Sequence, residues 1–359
     1  MMFVRKYASY ILLLVILVFF WFLRYRGNVA IKLWSGLQKT ISNTDESYIF
    51  TGFVSGIDID VWISPYNTAP KLKDLLSNAK YSIHGAWYLI SSDEIKAILR
   101  KQASLWVDVR IMLESALFGN DRTAFENFKQ AMQGVDIQLQ DDRKLGINFL
   151  HIKAAVIDNS IGYISTSNLT NSSLYKNREY MVVTQNSWVV ASIKTILDKD
   201  RQDISLSKKD IHPNLWVCPI DCREKLEYLI TSAQQSILIQ AQYLQDSRIF
   251  ETLLAARTRG VDIRIIVADG QEKGWVDRLS DNIRIQQDPY VHAKSILVDD
   301  RWLQIWSHNF STNALDNNRE MSIVSDDKKS INIFKNQFEK DRQKAKEYDE
   351  KWLKDKQEN

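Results

Sequence analysis

"HIKAAVID" at residues 151–158 and "HAKSILVD" at 292–299 decide how this chain is read. Both run His, any residue, Lys, four residues, Asp, and they stand 141 positions apart in 359 residues that hold only five histidines. A lone His-x-Lys reads as a satisfied core histidine. Two copies with matching surroundings do not. Asn168 and Asn309 each follow ten residues after the motif Asp, and Glu179 and Glu320 stand eleven further on, each in "NRE".

The repetition extends well beyond the motifs, and such internal periodicity decides architecture before local signals do. "VWISPYNTAPKLKDLLSNAKYSI" (61–83) matches "LWVCPIDCREKLEYLITSAQQSI" (215–237) with Trp62 on Trp216, Pro65 on Pro219 and Lys71 on Lys225. "VDVRIML" at 107 matches "VDIRIIV" at 261, and Asp200-Arg201 matches Asp341-Arg342. Each copy alternates short apolar strands with helical patterns such as Leu72, Leu75, Leu76 and Ala79, which predicts an α/β sheet covered by helices. The motif strand, its hairpin partner, a last strand and a closing helix end each unit. The expected division is a membrane anchor (1–27), a linker (28–44), a first unit (45–205), a second unit (206–345) and a charged tail (346–359). The charged stretch from Lys340 onward reads as the frayed, solvated end of the closing helix.

Residues 7–23, "YASYILLLVILVFFWFL", carry no charge and no small-residue cleavage site follows them, so they read as an uncleaved transmembrane helix. Basic residues flank both ends and leave the orientation unset. A net charge of +3 marks neither half as a basic stripe, which argues against an obligate nucleic-acid binder while leaving nucleic acid open as a substrate. The two cysteines, Cys218 and Cys222, form a lone C-x3-C with no second ligand pair and read as two ordinary thiols. No metal or cofactor is expected.

On a strand, residues two apart share a face, so His151 points with Lys153 and His292 with Lys294. An imidazole beside an ammonium calls for an anion between them, and a phosphate fits. Lys153 and Lys294 can hold its oxygens while the histidines attack phosphorus or move a proton. Asn168 and Asn309 can donate to the same phosphate. A Glu179 or Glu320 carboxylate bonded to the far imidazole nitrogen would fix the tautomer. Asp158 and Asp299 fall on the opposite strand face and read as structural supports at the strand end. His84 and His212 read as structural or solvated, and His308, beside Asn309, reads as lining the site.

Two His-x-Lys-x4-Asp motifs, each followed by Ser-x-Asn or its near equivalent, resemble the phospholipase D superfamily over nearly all of the chain after the anchor. The resemblance implies two α/β sandwich units with both motifs at one shared active-site cleft, in a monomer with an internal pseudo-two-fold axis. It also implies a phosphohistidine on one histidine and acid–base work by the other, with His151 as nucleophile and His292 as acid and base. Ser307 belongs to the supporting set. One departure stands out. The family's Gly before Ser-x-Asn is Ser165 in the first copy and Trp306 in the second, and Trp106 likewise aligns with Gly260. With 12 Gly, well under the usual ~7%, and 11 Trp, one account is that some of these positions are UGA codons read as glycine. Trp62 and Trp216 match each other and read as genuine.

Three functions fit: a membrane-anchored phosphodiesterase acting on phospholipid head groups by hydrolysis or exchange, a metal-independent nuclease, or a degenerate scaffold if Trp306 blocks the site. No acceptor-specific signal is visible, which argues against a synthase.

Overall fold

Each motif strand lies at the centre of a mixed sheet. The computed structural model describes residues 52–119, 121–140, 142–268 and 276–348. The expected anchor, the linker and most of the expected tail lie outside the described residues. Among the described residues no helix is long and apolar enough to cross a membrane.

The first sheet comprises β1 (Asp60–Ser64), β2 (Ser82–Trp87), β3 (Asp108–Glu114), β4 (Asp136–Gln140), β5 (Lys153–Ile157), β6 (Ile161–Ser165) and β7 (Glu179–Thr184). The second comprises β8 (Leu215–Cys218), β9 (Ser236–Ala241), β10 (Asp262–Val267), β11 (Ile283–Ile285), β12 (Lys294–Val298), β13 (Trp302–Trp306), β14 (Glu320–Ser325) and β15 (Lys346–Glu347). Their orders are β1-β7-β6-β5-β2-β3-β4 and, read from the matching edge, β8-β14-β13-β12-β9-β10-β11-β15. The first seven positions correspond one to one, so the sequence repeat is a repeat of topology. β2, β3 and β4 run parallel, as do β9, β10 and β11, while β5–β7 and β12–β14 form antiparallel meanders beside them. The short strands β4 and β11 went unread in the sequence. Their apolar alternation is brief, and β11 has only three residues.

The motif strands β5 and β12 are buried at every position, which explains their unbroken apolar runs. Each leads into a two-residue turn in which both residues adopt positive φ, Asp158-Asn159 (51° and 53°) and Asp299-Asp300 (54° and 51°). Such turns match the natural twist of a hairpin and favour Asp and Asn. The Asp158 carboxylate accepts the backbone N–H groups of Lys80, Tyr81 and Ser82, and Asp299 accepts those of Gln234, Gln235 and Ser236. The motif aspartates thus tie the hairpin to the entry of β2 or β9, the structural role that their strand face suggested.

Three apolar clusters follow this plan. One belongs to the first half, around Trp62, Leu72, Ile111 and Tyr163, and one to the second, around Trp216, Leu226, Ile265 and Trp306. The third joins the halves: Val156, Ile164 and Val182 pack with Leu297, Ile305 and Ile323, and the helices Ser187–Arg201 and Lys328–Lys344 contribute Ile193 and Phe334. The charged C-terminal stretch differs from the expected frayed end. Asp341 is buried against Arg178, and Lys346–Glu347 pairs with β11, because the helix end covers the seam between halves.

Two further expectations are corrected. Cys218 and Cys222 are bonded as a disulfide rather than held as two thiols. The turn between β8 and the helix Cys222–Ser232 brings their Cα atoms to 5.2 Å, a closeness that spacing alone does not reveal. Trp306 does not obstruct the site: its indole is fully buried in the second-half core and stacks on His308 at 4.6 Å. Trp106 has a φ of 67°, in the left-handed region, at the position where its counterpart Gly260 has 91°. Its side chain is 95% exposed, so none of the described residues packs against it to offset that backbone cost.

Candidate active site

His151 and His292 do not lie within the regular ladder, as a strand reading of the motif expected. Each stands two residues before its strand begins, at Lys153 or Lys294. There the chain crosses to the other half. The His151 N–H donates to the Arg319 carbonyl at 2.9 Å, and the His292 N–H donates to the Arg178 carbonyl at 3.0 Å. Isolated bridges at Leu150–Arg319 and Arg178–Val291 extend the same contact. Each histidine is therefore positioned by the NRE segment of the opposite unit.

The side chains repeat this exchange. Glu320 Oε1 lies 2.7 Å from His151 Nδ1, and Glu179 Oε1 lies 2.7 Å from His292 Nδ1. Each carboxylate takes a second hydrogen bond at 2.5 Å from a hydroxyl of its own half, Ser307 to Glu320 and Thr166 to Glu179. The arginines cross as well: Arg178 pairs with Asp341 at 2.6 Å, and Arg319 with Asp200 at 3.2 Å. The sequence brought out the carboxylates but not which histidine each would serve. It missed Thr166, whose only signal is its place opposite Ser307 in the repeat.

Nδ1 is committed to the carboxylate, so Nε2 is the ring nitrogen left to meet a substrate. Lys153 Nζ reaches His151 Nε2 at 3.0 Å and donates to the His151 carbonyl at 2.9 Å. Lys294 Nζ donates to the His292 carbonyl at 2.7 Å. Both lysines and both glutamates are fully buried, whereas the imidazoles keep 17% and 16% side-chain exposure. The rings are the part of the site that solvent or a substrate meets first. The two motifs also share one electrostatic environment: Lys294 acts on His151, and Lys153 acts on His292.

Burial dominates the titration of these groups. It pushes His151 down to about 4 against the pull of Glu320, and lowers His292 against Glu179. Burial also lowers Lys153 to about 7 and Lys294 to about 8, with the glutamates opposing it. Glu179 and Glu320 stay below the usual carboxylate range because the facing histidines and lysines outweigh their own burial. Near neutral pH the site holds two neutral imidazoles, that of His151 in contact with Lys153 at Nε2, two carboxylates and two partly charged ammonium groups. An entering phosphodiester anion would draw the lysines toward full protonation.

Among the described residues, the buried side-chain oxygens of Asn168 and Asn309 have no hydrogen-bond partner, and the Asn309 amide donates to Tyr243 at 2.7 Å. Tyr243 went unread, as did Tyr88, whose ring meets His151 edge-on at 4.9 Å and lies 5.7 Å from Lys153 Nζ. His308 acts electrostatically on the site through Glu320, Lys294 and His151. It is fully buried behind Ser307, near Cys218 and Cys222. His84 is bonded to Asp108, and His212 accepts from the Asn214 N–H, both away from the cleft.

Comparison with known proteins follows the same division into halves. A family model described as "Cardiolipin synthase, PLD-like domain" matches residues 72–201 and again 226–342. The cardiolipin synthase of Halalkalibacterium halodurans is 25% identical over 319 residues, covering 76% of this chain and 63% of the relative, so this chain spans less than two thirds of that protein. Among solved structures, phosphatidylserine synthase from Haemophilus influenzae superposes with a TM-score of 0.61 at 15% identity, covering 80% of this chain and 87% of that one. Polyphosphate kinase from Porphyromonas gingivalis gives 0.63 at 19% identity, over 79% and 46%. These two speak for the fold alone. With a family match in each half, each carrying one His-x-Lys-x4-Asp motif, the chain belongs to the phospholipase D superfamily.

Proposed function

We propose that this protein is a membrane-anchored phospholipase D-type enzyme that transfers a phosphatidyl group from a phospholipid to an alcohol or to water. The observation that carries the reading is the crossed pairing of His151 with Glu320 and His292 with Glu179 around two buried lysines. A hydrolytic or transfer site needs one neutral nucleophile and one proton carrier on either side of phosphorus.

With His292 protonated at Nε2 as the phosphodiester anion binds, His151 Nε2 attacks phosphorus and the ester oxygen of the head group departs, taking that proton from His292. A phosphatidyl–histidine results, with Lys153 and Lys294 holding the non-bridging oxygens and Asn168 and Asn309 adding amide donors. His292, now neutral, removes a proton from the incoming hydroxyl. That oxygen attacks phosphorus, the bond to His151 breaks, and both imidazoles return to their starting state. The carboxylates do not change protonation; they hold each Nδ1–H and favour the transient imidazolium. Asp158 and Asp299 act on the fold and not on the substrate.

The relatives named cardiolipin synthase favour an alcohol acceptor carried by a second lipid, against the absence of an acceptor signal in the sequence. Joining two phosphatidyl groups through one glycerol is such a transfer. Residues 7–23, as a single-pass anchor, would keep the cleft at the lipid surface. The test uses full-length protein in phosphatidylglycerol vesicles. Release of glycerol with formation of a two-phosphatidyl lipid supports transfer, and phosphatidate alone supports hydrolysis. Cleavage of single-stranded oligonucleotides with no lipid turnover would replace the proposal with the nuclease reading.

A further inference from the structure

Behind the Ser307–Glu320–His151 chain lies a group that the proposed reaction does not use. Cys218 ends β8 and Cys222 begins the helix Cys222–Ser232, while His308 follows β13 by two residues. All three are buried, and their sulfurs and a ring nitrogen lie within 4.8 Å of one another. His308 Nε2 is buried and has no hydrogen-bond partner among the described residues. An unpaired buried ring nitrogen costs free energy unless something occupies it under other conditions.

The internal repeat supplies a control. Cys218 pairs with Glu320 across β8 and β14, just as Ser64 pairs with Glu179 across β1 and β7. Cys222 opens its helix as Thr68 opens the helix Thr68–Ser77, and His308 stands where Ser167 stands in the first half. The same three places thus hold Ser, Thr and Ser in one half and Cys, Cys and His in the other, all buried. Packing needs would be met by the hydroxyl set, as the first half demonstrates. The second half has exchanged all three for ligands of a thiophilic ion.

We propose that Cys218, Cys222 and His308, once the cysteine pair is reduced, form a binding site for one Zn2+ ion. Reduction breaks the S–S bond with two electrons from a thiol or phosphine reductant and two protons from the thiols or, with a phosphine, from water, the reductant leaving as its disulfide or phosphine oxide. Zinc then displaces the two thiol protons. Two thiolates neutralise the dication, which a dry interior requires, and two sulfurs with one imidazole nitrogen form a known zinc donor set. The Leu315 carbonyl, 3.5 Å from Cys222 Sγ, is placed to be the fourth donor. The bound ion would pin the turn that carries Ser307 and Asn309. In the disulfide form the sulfurs are consumed and the site is closed, so binding is gated by redox state.

The test is a zinc titration of full-length, chelator-stripped protein against a chromophoric competitor, run on the phosphine-reduced and the oxidised forms. One equivalent is expected in the reduced form and none in the oxidised form. Zinc-edge X-ray absorption is expected to report two sulfurs and at least one nitrogen. The triple variant Cys218→Ser, Cys222→Thr, His308→Ser copies the first half's trio into the second, and is expected to lose affinity by about tenfold or more. Equal uptake by reduced and oxidised protein, or a shell of oxygen and nitrogen only, overturns the proposal without recourse to any variant. So does uptake by the triple variant equal to that of the reduced parent.

Discussion

Glu320→Gln probes the crossed wiring with little change of shape. The carboxylate accepts from Ser307 at 2.5 Å and holds His151 Nδ1 at 2.7 Å. The amide keeps the volume and can still accept from Ser307, but it lacks the charge that favours an imidazolium on His151. A hydrogen bond to a charged partner contributes about 1.5–3 kcal/mol, and 1.36 kcal/mol is tenfold in rate, so the loss expected in kcat is roughly 10- to 150-fold. Glu320 also raises His151 against its burial, so the variant's His151 titrates lower still and the acid limb of the pH profile moves down. The assay is turnover of a phosphatidyl ester with a p-nitrophenol leaving group, which needs no proton from His292. With that substrate Glu320→Gln slows the burst of nitrophenol, whereas Glu179→Gln leaves the burst and slows the steady state. Since Glu320 acts through His151, adding it to His151→Ala costs little more. A burst unchanged within threefold in Glu320→Gln would refute the assignment of Glu320 to His151.

Three further predictions follow the same site outward. In kcat/KM, activity is expected to fall as pH drops through about 4, where His151 gains a proton, and to fall as pH rises, first as His292, lowered by burial, loses the proton it gives the leaving group and then through about 7 to 8, where Lys153 and Lys294 lose theirs; bound phosphate moves the upper limb of kcat higher, and a kcat/KM that keeps rising through pH 9 contradicts this. Asp341→Ala strands Arg178 in the seam between halves and is expected to cost about 3–5 kcal/mol in urea unfolding; a loss under about 1 kcal/mol contradicts it. Trp106→Gly removes a left-handed tryptophan that packs against none of the described residues, and a net gain of roughly 0.5–1 kcal/mol is expected; a loss of stability contradicts this.

The duplication, the strand–helix alternation and both His-x-Lys pairs were legible because identity between copies and period-2 patterning are local properties of the chain. The two glutamates were legible for the same reason, as repeated residues at repeated distances, and Ser307 through the Ser-x-Asn pattern of the family. The crossed partners were not. Which imidazole a carboxylate serves depends on how two sheets face each other, and an internal repeat is equally consistent with pairing inside each half. The arginine–aspartate pairs across the seam were hidden likewise, although the matched Asp200 and Asp341 had surfaced in the alignment. His308, read as lining the site, does sit among its charges, close enough to act on Glu320, Lys294 and His151, but the indole of Trp306 and the core behind it take the ring inward toward Cys218 and Cys222, which lie about 90 residues earlier in the chain.

The most direct test of the central claim is a covalent trap. Full-length protein is quenched in acid-free denaturant during turnover of the p-nitrophenyl phosphatidyl ester, and the peptide containing residue 151 is weighed. The account predicts one acid-labile phosphatidyl adduct on His151, absent in His151→Ala and accumulating in His292→Ala, where the leaving group needs no acid but the acceptor still needs a base. Turnover by His151→Ala at near the parent rate, or an adduct on neither histidine, would contradict it.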